Sequence, residues 1–201
     1  MIKIGSFTDP RDGKTYKTVK IGTQTWMAEN LSYDVSGSEC YGNNPASCEK
    51  YGRLYDWAAA LEACPSGWHL PSDSEWGALV AAAGGPNMAG KKLKAKKGWN
   101  EGGNGTDRLG FSALPGGVGY SDSGFSSFSN AGSNGTWWSA SEFDSNYAYY
   151  HDTYYYSNYW WSATDNLANN AYCHAMNYAS GGVRRDCVDK SCLFSVRCIK
   201  D

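Results

Sequence analysis

His151 and His174 stand 23 residues apart at equivalent points of a duplicated segment. Residues 137–155 read WWSASEFDSNYAYYHDTYY and residues 160–178 read WWSATDNLANNAYCHAMNY, with nine of nineteen aligned positions identical. Two imidazoles at a repeated position could share a metal ion or a ligand. A solvent-facing strand position, repeated with the segment, explains both more simply. The surroundings point to recognition: nine of the fifteen tyrosines and four of the nine tryptophans fall between 137 and 178, among many Asn and Ser. Such rings give rigid contact area at low entropic cost, and small polar groups add adaptable hydrogen bonds. Strand alternation places positions i, i+2 and i+4 on one face. It groups Tyr147, Tyr149, His151 and Tyr155 in the first copy, and Asn170, Tyr172, His174 and Tyr178 in the second, as an outward ligand-binding set. Tyr150 and Tyr154 then pack inward. The competing reading of any single aromatic here is scaffold, because Tyr and Trp are good strand formers.

Seven cysteines are the other reactive set: Cys40, Cys48, Cys64, Cys173, Cys187, Cys192 and Cys198. There is no CxxC pair and no Cys/His spacing of the zinc-site kind. Disulfides are the expected use, which implies an oxidising compartment and an extracellular or cell-surface location. Cys40 and Cys48 bracket one loop and form a natural local pair. Ala179-Ser180-Gly181-Gly182 is a turn signal, and a hairpin centred there pairs positions whose numbers sum to about 360, placing Cys173 beside Cys187. Cys192 is the competing partner of Cys187. His69, between Trp68 and Leu70, reads as a packed structural histidine. Asn100, Glu101, Asn104, Thr106 and Asp107 could supply oxygen ligands to Ca²⁺, although their spacing departs from the twelve-residue EF-hand loop; a turn-rich loop held by its own side chains is the other reading. No G-x-S-x-G or HExxH motif is present, so a non-catalytic protein without cofactor or metal is expected.

The 201-residue chain carries 18 Lys+Arg against 20 Asp+Glu, a net charge of −2. That balance steers it to neither nucleic acid nor an anionic membrane. No apolar run reaches membrane-spanning length, and the first sixteen residues have no apolar core of the secretory kind. The lysine cluster Lys91, Lys92, Lys94, Lys96 and Lys97 reads as a solvated face.

A small set of elements must position these groups within one domain over 1–201, with the duplication (137–159 and 160–182) inside it. Tyr16, Thr18 and Lys20 alternate with Lys17, Val19 and Ile21 as a period-two strand, Gly22 turns, and Thr25–Ala28 begins a second strand. Residues 32–50 read as loop. Leu54–Ala63 predicts a first helix with Leu54, Trp57, Ala58 and Leu61 as its apolar stripe, ended by Pro65 and Gly67. Ser72 and Glu75 form a capping box that sets a second helix over about 73–83, with Trp76, Leu79, Val80 and Ala83 inward. A last strand spans about 193–199.

Several ordered phrases together resemble the Fibrobacter succinogenes major paralogous domain: DGKTYKTVKIGTQTWMAENL (12–31), YGRLYDWAAALEACPSGWHLPSDSEW (51–76), GKKLKAK (90–96), NGTDRLGFSALPGG (104–117), WWSASE (137–142) and FSVRCIKD (194–201). The resemblance implies an α+β, C-type-lectin-like mixed domain with two helices, a small antiparallel sheet and long irregular loops. It also implies a place on exported or surface-anchored bacterial proteins. Such a domain ordinarily carries one WWSA unit; this chain carries two. Within that frame Cys64, ending the first helix, and Cys198, in the last strand, would clasp the two ends of the fold. Three functions stay open: a recognition module for carbohydrate or protein, an oxidase similar to formylglycine-generating enzymes using Cys192 and Cys198, and a passive display or adhesion scaffold.

Overall fold

A computed structural model describes residues 2–122, 125–143 and 169–201. The chain begins with β1 (Lys3–Thr8), β2 (Thr15–Ile21) and β3 (Gln24–Met27), an antiparallel meander. After β4 (Ser38–Glu39) come α1 (Pro45–Tyr51), β5 (Leu54–Tyr55), α2 (Trp57–Ala63), β6 (Trp68–His69), α3 (Asp73–Ala82) and α4 (Ala89–Leu93). The second half holds β7 (Val118–Asp122), β8 (Phe125–Ser129), β9 (Asn134–Glu142), β10 (Asn170–Asn177), β11 (Arg184–Asp189), β12 (Cys192–Ser195) and β13 (Ile199–Lys200).

Two sheets result, in a mixed helix–strand fold. The first runs β1-β2-β3-β13-β6. Its terminal strand slots beside the N-terminal meander: Ile199 pairs with Trp26 on one side and His69 on the other. The second runs β11-β10-β9-β12-β5-β4, with β7 attached to β12 and β8 paired to β7. β9 and β12 meet in parallel and the other pairs are antiparallel. The strands therefore far exceed the small sheet expected, because short pairs such as β4–β5 form only when residues distant in sequence meet.

Two buried clusters flank these strands, and strand alternation feeds both. Trp26 enters one and Met27 the other; Trp137 joins the first and Trp138 the second. Adjacent side chains on a strand point to opposite faces, so a double Trp suits a strand covered on both sides. Four buried indole N–H groups find acceptors here: Trp137 donates to Asn30 Oδ1 (2.9 Å), Trp138 to the Tyr55 carbonyl (2.8 Å), Trp76 to the Trp138 carbonyl (3.2 Å) and Trp57 to the Ser139 carbonyl (2.9 Å). A buried indole needs that partner to avoid a desolvation penalty. Arg197, fully buried, donates to Asn30 Oδ1 and to the carbonyls of Phe111 and Ser112, tying the last segment to the same network.

One expected helix starts where the sequence sets it and the other does not. The capping box at Ser72 and Glu75 is present and opens α3 at Asp73. The first expected helix divides: Leu54 and Tyr55 pair as a strand, and Asp56 caps α2 by accepting from the Ala59 N–H. Its buried face is Trp57, Ala59, Ala60 and Ala63, while Ala58 and Leu61 face solvent. Within the expected loop, Asn44 caps α1 and Pro45 takes its first turn; proline suits that place because its missing N–H would be unbonded anyway. The last strand is interrupted at Val196–Cys198, and every residue from Cys192 to Ile199 is buried.

Disulfides join Cys40 to Cys48 and Cys64 to Cys198. The expected Cys173–Cys187 pair is corrected by one residue of register. Tyr172 stands opposite Cys187 and Cys173 opposite Asp186. A one-residue slip turns a side chain to the other face: Cys173 is buried in the core, Cys187 is half-buried on the opposite side, and both are free thiols, as is Cys192.

Candidate functional site

The duplication meets itself across one strand pair. β9 carries the WWSASE start of the first copy and β10 the NAYCHAMN end of the second. Their register sets Trp137 opposite His174 and Trp138 opposite Cys173, with an irregularity between Ala171 and Cys173. The sheet position is thus filled by halves of both copies. Tyr147, Tyr149, His151 and Tyr155 of the expected ligand-binding set lie outside the described residues.

The second-copy set is not a solvent face. Asn170 and His174 are buried, while Tyr172 and Tyr178 are half-buried. β10 lies between β9 and β11, and each of its faces meets one of the two cores. His174 stacks on Trp76 (centroids 5.0 Å apart, planes at 15°) and its Nε2 lies 3.1 Å from Asp73 Oδ1, which also accepts from Arg185 Nε at 2.7 Å. Burial by itself would raise the Asp73 carboxyl, but the hydrogen bonds from His174 and Arg185 outweigh it and hold it at about 2. The Arg185 guanidinium also lies 3.7 Å over the Tyr172 ring, whose edge meets Phe143.

The other candidate groups have structural employment. His69 bridges Asp201 Oδ1 (2.6 Å) and Glu75 Oε1 (3.0 Å). Burial would lower its pKa; the two carboxylates prevail and raise it. Cys198 is bonded to Cys64, and burial pushes the Cys192 thiol up to about 12 and that of Cys173 well above the ordinary range. In the expected calcium loop, Asp107 accepts from the Ser112 N–H and hydroxyl, Asn104 Oδ1 accepts from the Trp99 N–H, and Thr106 Oγ1 donates to the Lys91 carbonyl. Among the described residues no group of three or more His, Cys, Asp or Glu is placed to hold a metal ion.

A cleft of about 150 Å³ opens where this loop meets the turn after β10. It is lined by Lys91, Lys94, Gly102, Gly103, Asn104, Tyr178, Ala179, Ser180 and Gly181. Lys94 corrects the solvated-face expectation. It is buried, and its Nζ donates to the carbonyls of Asn177 (2.9 Å) and Ser180 (2.8 Å) while lying 4.9 Å from the Trp99 ring centroid. Lys91 stays exposed, and its backbone N–H binds the Gly181 carbonyl. The walls approach so closely that glycine is required: a Cβ at Gly103 would stand 2.4 Å from the Tyr178 carbonyl oxygen. Of the expected ligand-binding residues among the described ones, Tyr178 is the one brought to this cleft. The sequence held a signal for Lys91 and Lys94 in GKKLKAK and for Asn104 in NGTDRLG, but not for their meeting.

The model of the Fibrobacter succinogenes major domain matches residues 19–200, from within β2 to the end of β13. The chain belongs to this family. The match takes in β9, β10 and every residue that lines the cleft. No curated protein and no solved structure matches the chain at a significant level.

Proposed function

We propose that this domain is a non-catalytic recognition module of the cell surface or extracellular space that binds carbohydrate. The observation that carries the proposal is the cleft at Tyr178: one half-buried aromatic ring beside Asn104, Ser180 and two lysines, in a volume suited to one sugar residue. A ring stacks on an apolar sugar face while amide, hydroxyl and ammonium groups bond hydroxyls, the division of labour common to small-molecule sites. A non-catalytic role is supported by the employment of His69, His174 and Cys198 in packing or bonding, and by thiols held protonated, since the thiolate is the reactive form. Two disulfides support an oxidising location, and no helix among the described residues is long and apolar enough to cross a membrane. The C-type-lectin-like architecture belongs to the same proposal, supported by a terminal strand that closes on the N-terminal meander. A protein ligand is the second reading, favoured by the half-exposed Tyr172–Arg185 stack, since Tyr and Arg are frequent interface anchors.

The test is a panel of immobilised glycans, probed with the native protein and with Tyr178→Ala and Tyr172→Ala. Glycan binding weakened at least tenfold by Tyr178→Ala, about 1.4 kcal/mol or more, and unchanged by Tyr172→Ala is expected. Glycan binding that ignores Tyr178 while Tyr172→Ala abolishes it would move the site to the Arg185 stack.

A further inference from the structure

The charge of the cleft goes beyond what a neutral sugar needs. Lys91 and Lys94 line the same small space. Lys94 is buried, and among the described residues its ammonium meets only backbone carbonyls and the Trp99 ring. Among the described residues neither lysine has a carboxylate within ion-pair distance. Asp107 spends both carboxylate oxygens on Ser112, and Glu101, though next to the lining Gly102, pairs with neither lysine. The two like charges oppose each other: burial first, and then Lys91, lower the pKa of Lys94. Most buried charges in proteins are paired, because an unpaired one forfeits its hydration. Here carbonyl dipoles and the face of the Trp99 ring compensate Lys94 in place of a carboxylate, and the exposed Lys91 adds a second cation to the lining.

Resting on the carbohydrate reading above, we infer that the cleft selects acidic saccharides, with the sugar ring against Tyr178 and its oxyanion group between Lys91 and the buried Lys94. An oxyanion there would relieve the repulsion between the two ammonium groups. The partly desolvated site strengthens each charge interaction relative to water. Carboxylate and sulfate groups share this chemistry.

The test is titration of the ¹⁵N-labelled full chain at low salt with D-galacturonate, galactose 6-sulfate, D-galactose and sodium acetate. Either acidic sugar, or both, should shift the amide signals of residues 102–104 and 178–181 and bind about tenfold tighter than galactose; the tighter one names the preferred oxyanion. Lys91→Gln should remove that preference. Its exposed side chain makes the variant safe for the fold, whereas Lys94→Met risks the buried network. The preference should also shrink as added salt shortens the Debye length. Galactose binding as tightly as the acidic sugars would overturn the charge inference and leave the carbohydrate reading standing. Acetate matching them would overturn it too, showing a bare anion site. If no sugar shifts the cleft signals, both the inference and this placement of the sugar site fall.

Discussion

Asp73 shows how a residue chosen by local sequence comes to serve the whole sheet. As the first residue of α3 it follows the capping Ser72, and an acidic side chain suits a helix N-terminus. The same carboxylate accepts from His174 and Arg185, joining α3 to β10 and β11. Its pKa lies at about 2, below the ordinary 3.8. A group whose folded pKa is depressed adds stability that is present above the unfolded value and lost as pH falls through the folded one. Asp73 therefore adds about 1–2 kcal/mol near neutrality, after discounting for its partial exposure, and loses it between about pH 4 and pH 2. In Asp73→Asn, acid titration followed by circular dichroism should show lower stability at pH 7 and a shallower fall across that window. An unchanged acid limb would mean that the ion-pair cluster does not hold the helix to the sheet.

At the scale of elements, β9 comes from the start of the first repeat copy and β10 from the end of the second. Deleting residues 146–168 removes one 23-residue period and joins Ser145 to Asn169. That leaves Glu142 and Ala171, partners in the ladder, linked by a short hairpin loop of a common length. The deletion variant should keep both disulfides and melt within a few degrees of the full chain. Collapse of its cooperative melting transition would show that the second period is needed for the fold. Elements were legible in the sequence where their signals were local. The Ser72/Glu75 box fixed α3, and alternation fixed β2. Asn44 followed by Pro45 marked α1 equally well, but the surrounding turn formers hid it. Register was harder: Cys173 and Cys187 differ from true partnership by a single step, set by the length of the turn after β10. Lys94 was illegible, because the carbonyls that hold it come from Asn177 and Ser180, more than eighty residues away.

For the molecule as a whole, the ends of the fold are held together twice, by β13 between β3 and β6 and by Cys64–Cys198 across 134 residues. Closing so long a loop is worth up to about 5 kcal/mol by chain-entropy reasoning. This frame brings α4, the 102–104 loop and the turn after β10 around one cleft, although they are scattered along the chain. Whether that cleft is where the domain meets its ligand is answered most directly by hydrogen–deuterium exchange on the native protein, with and without the strongest-binding saccharide of the glycan panel. Protection gathered at residues 102–104 and 178–181 is the predicted result. Protection confined to any other surface, with those two segments exchanging as in the free protein, would contradict it.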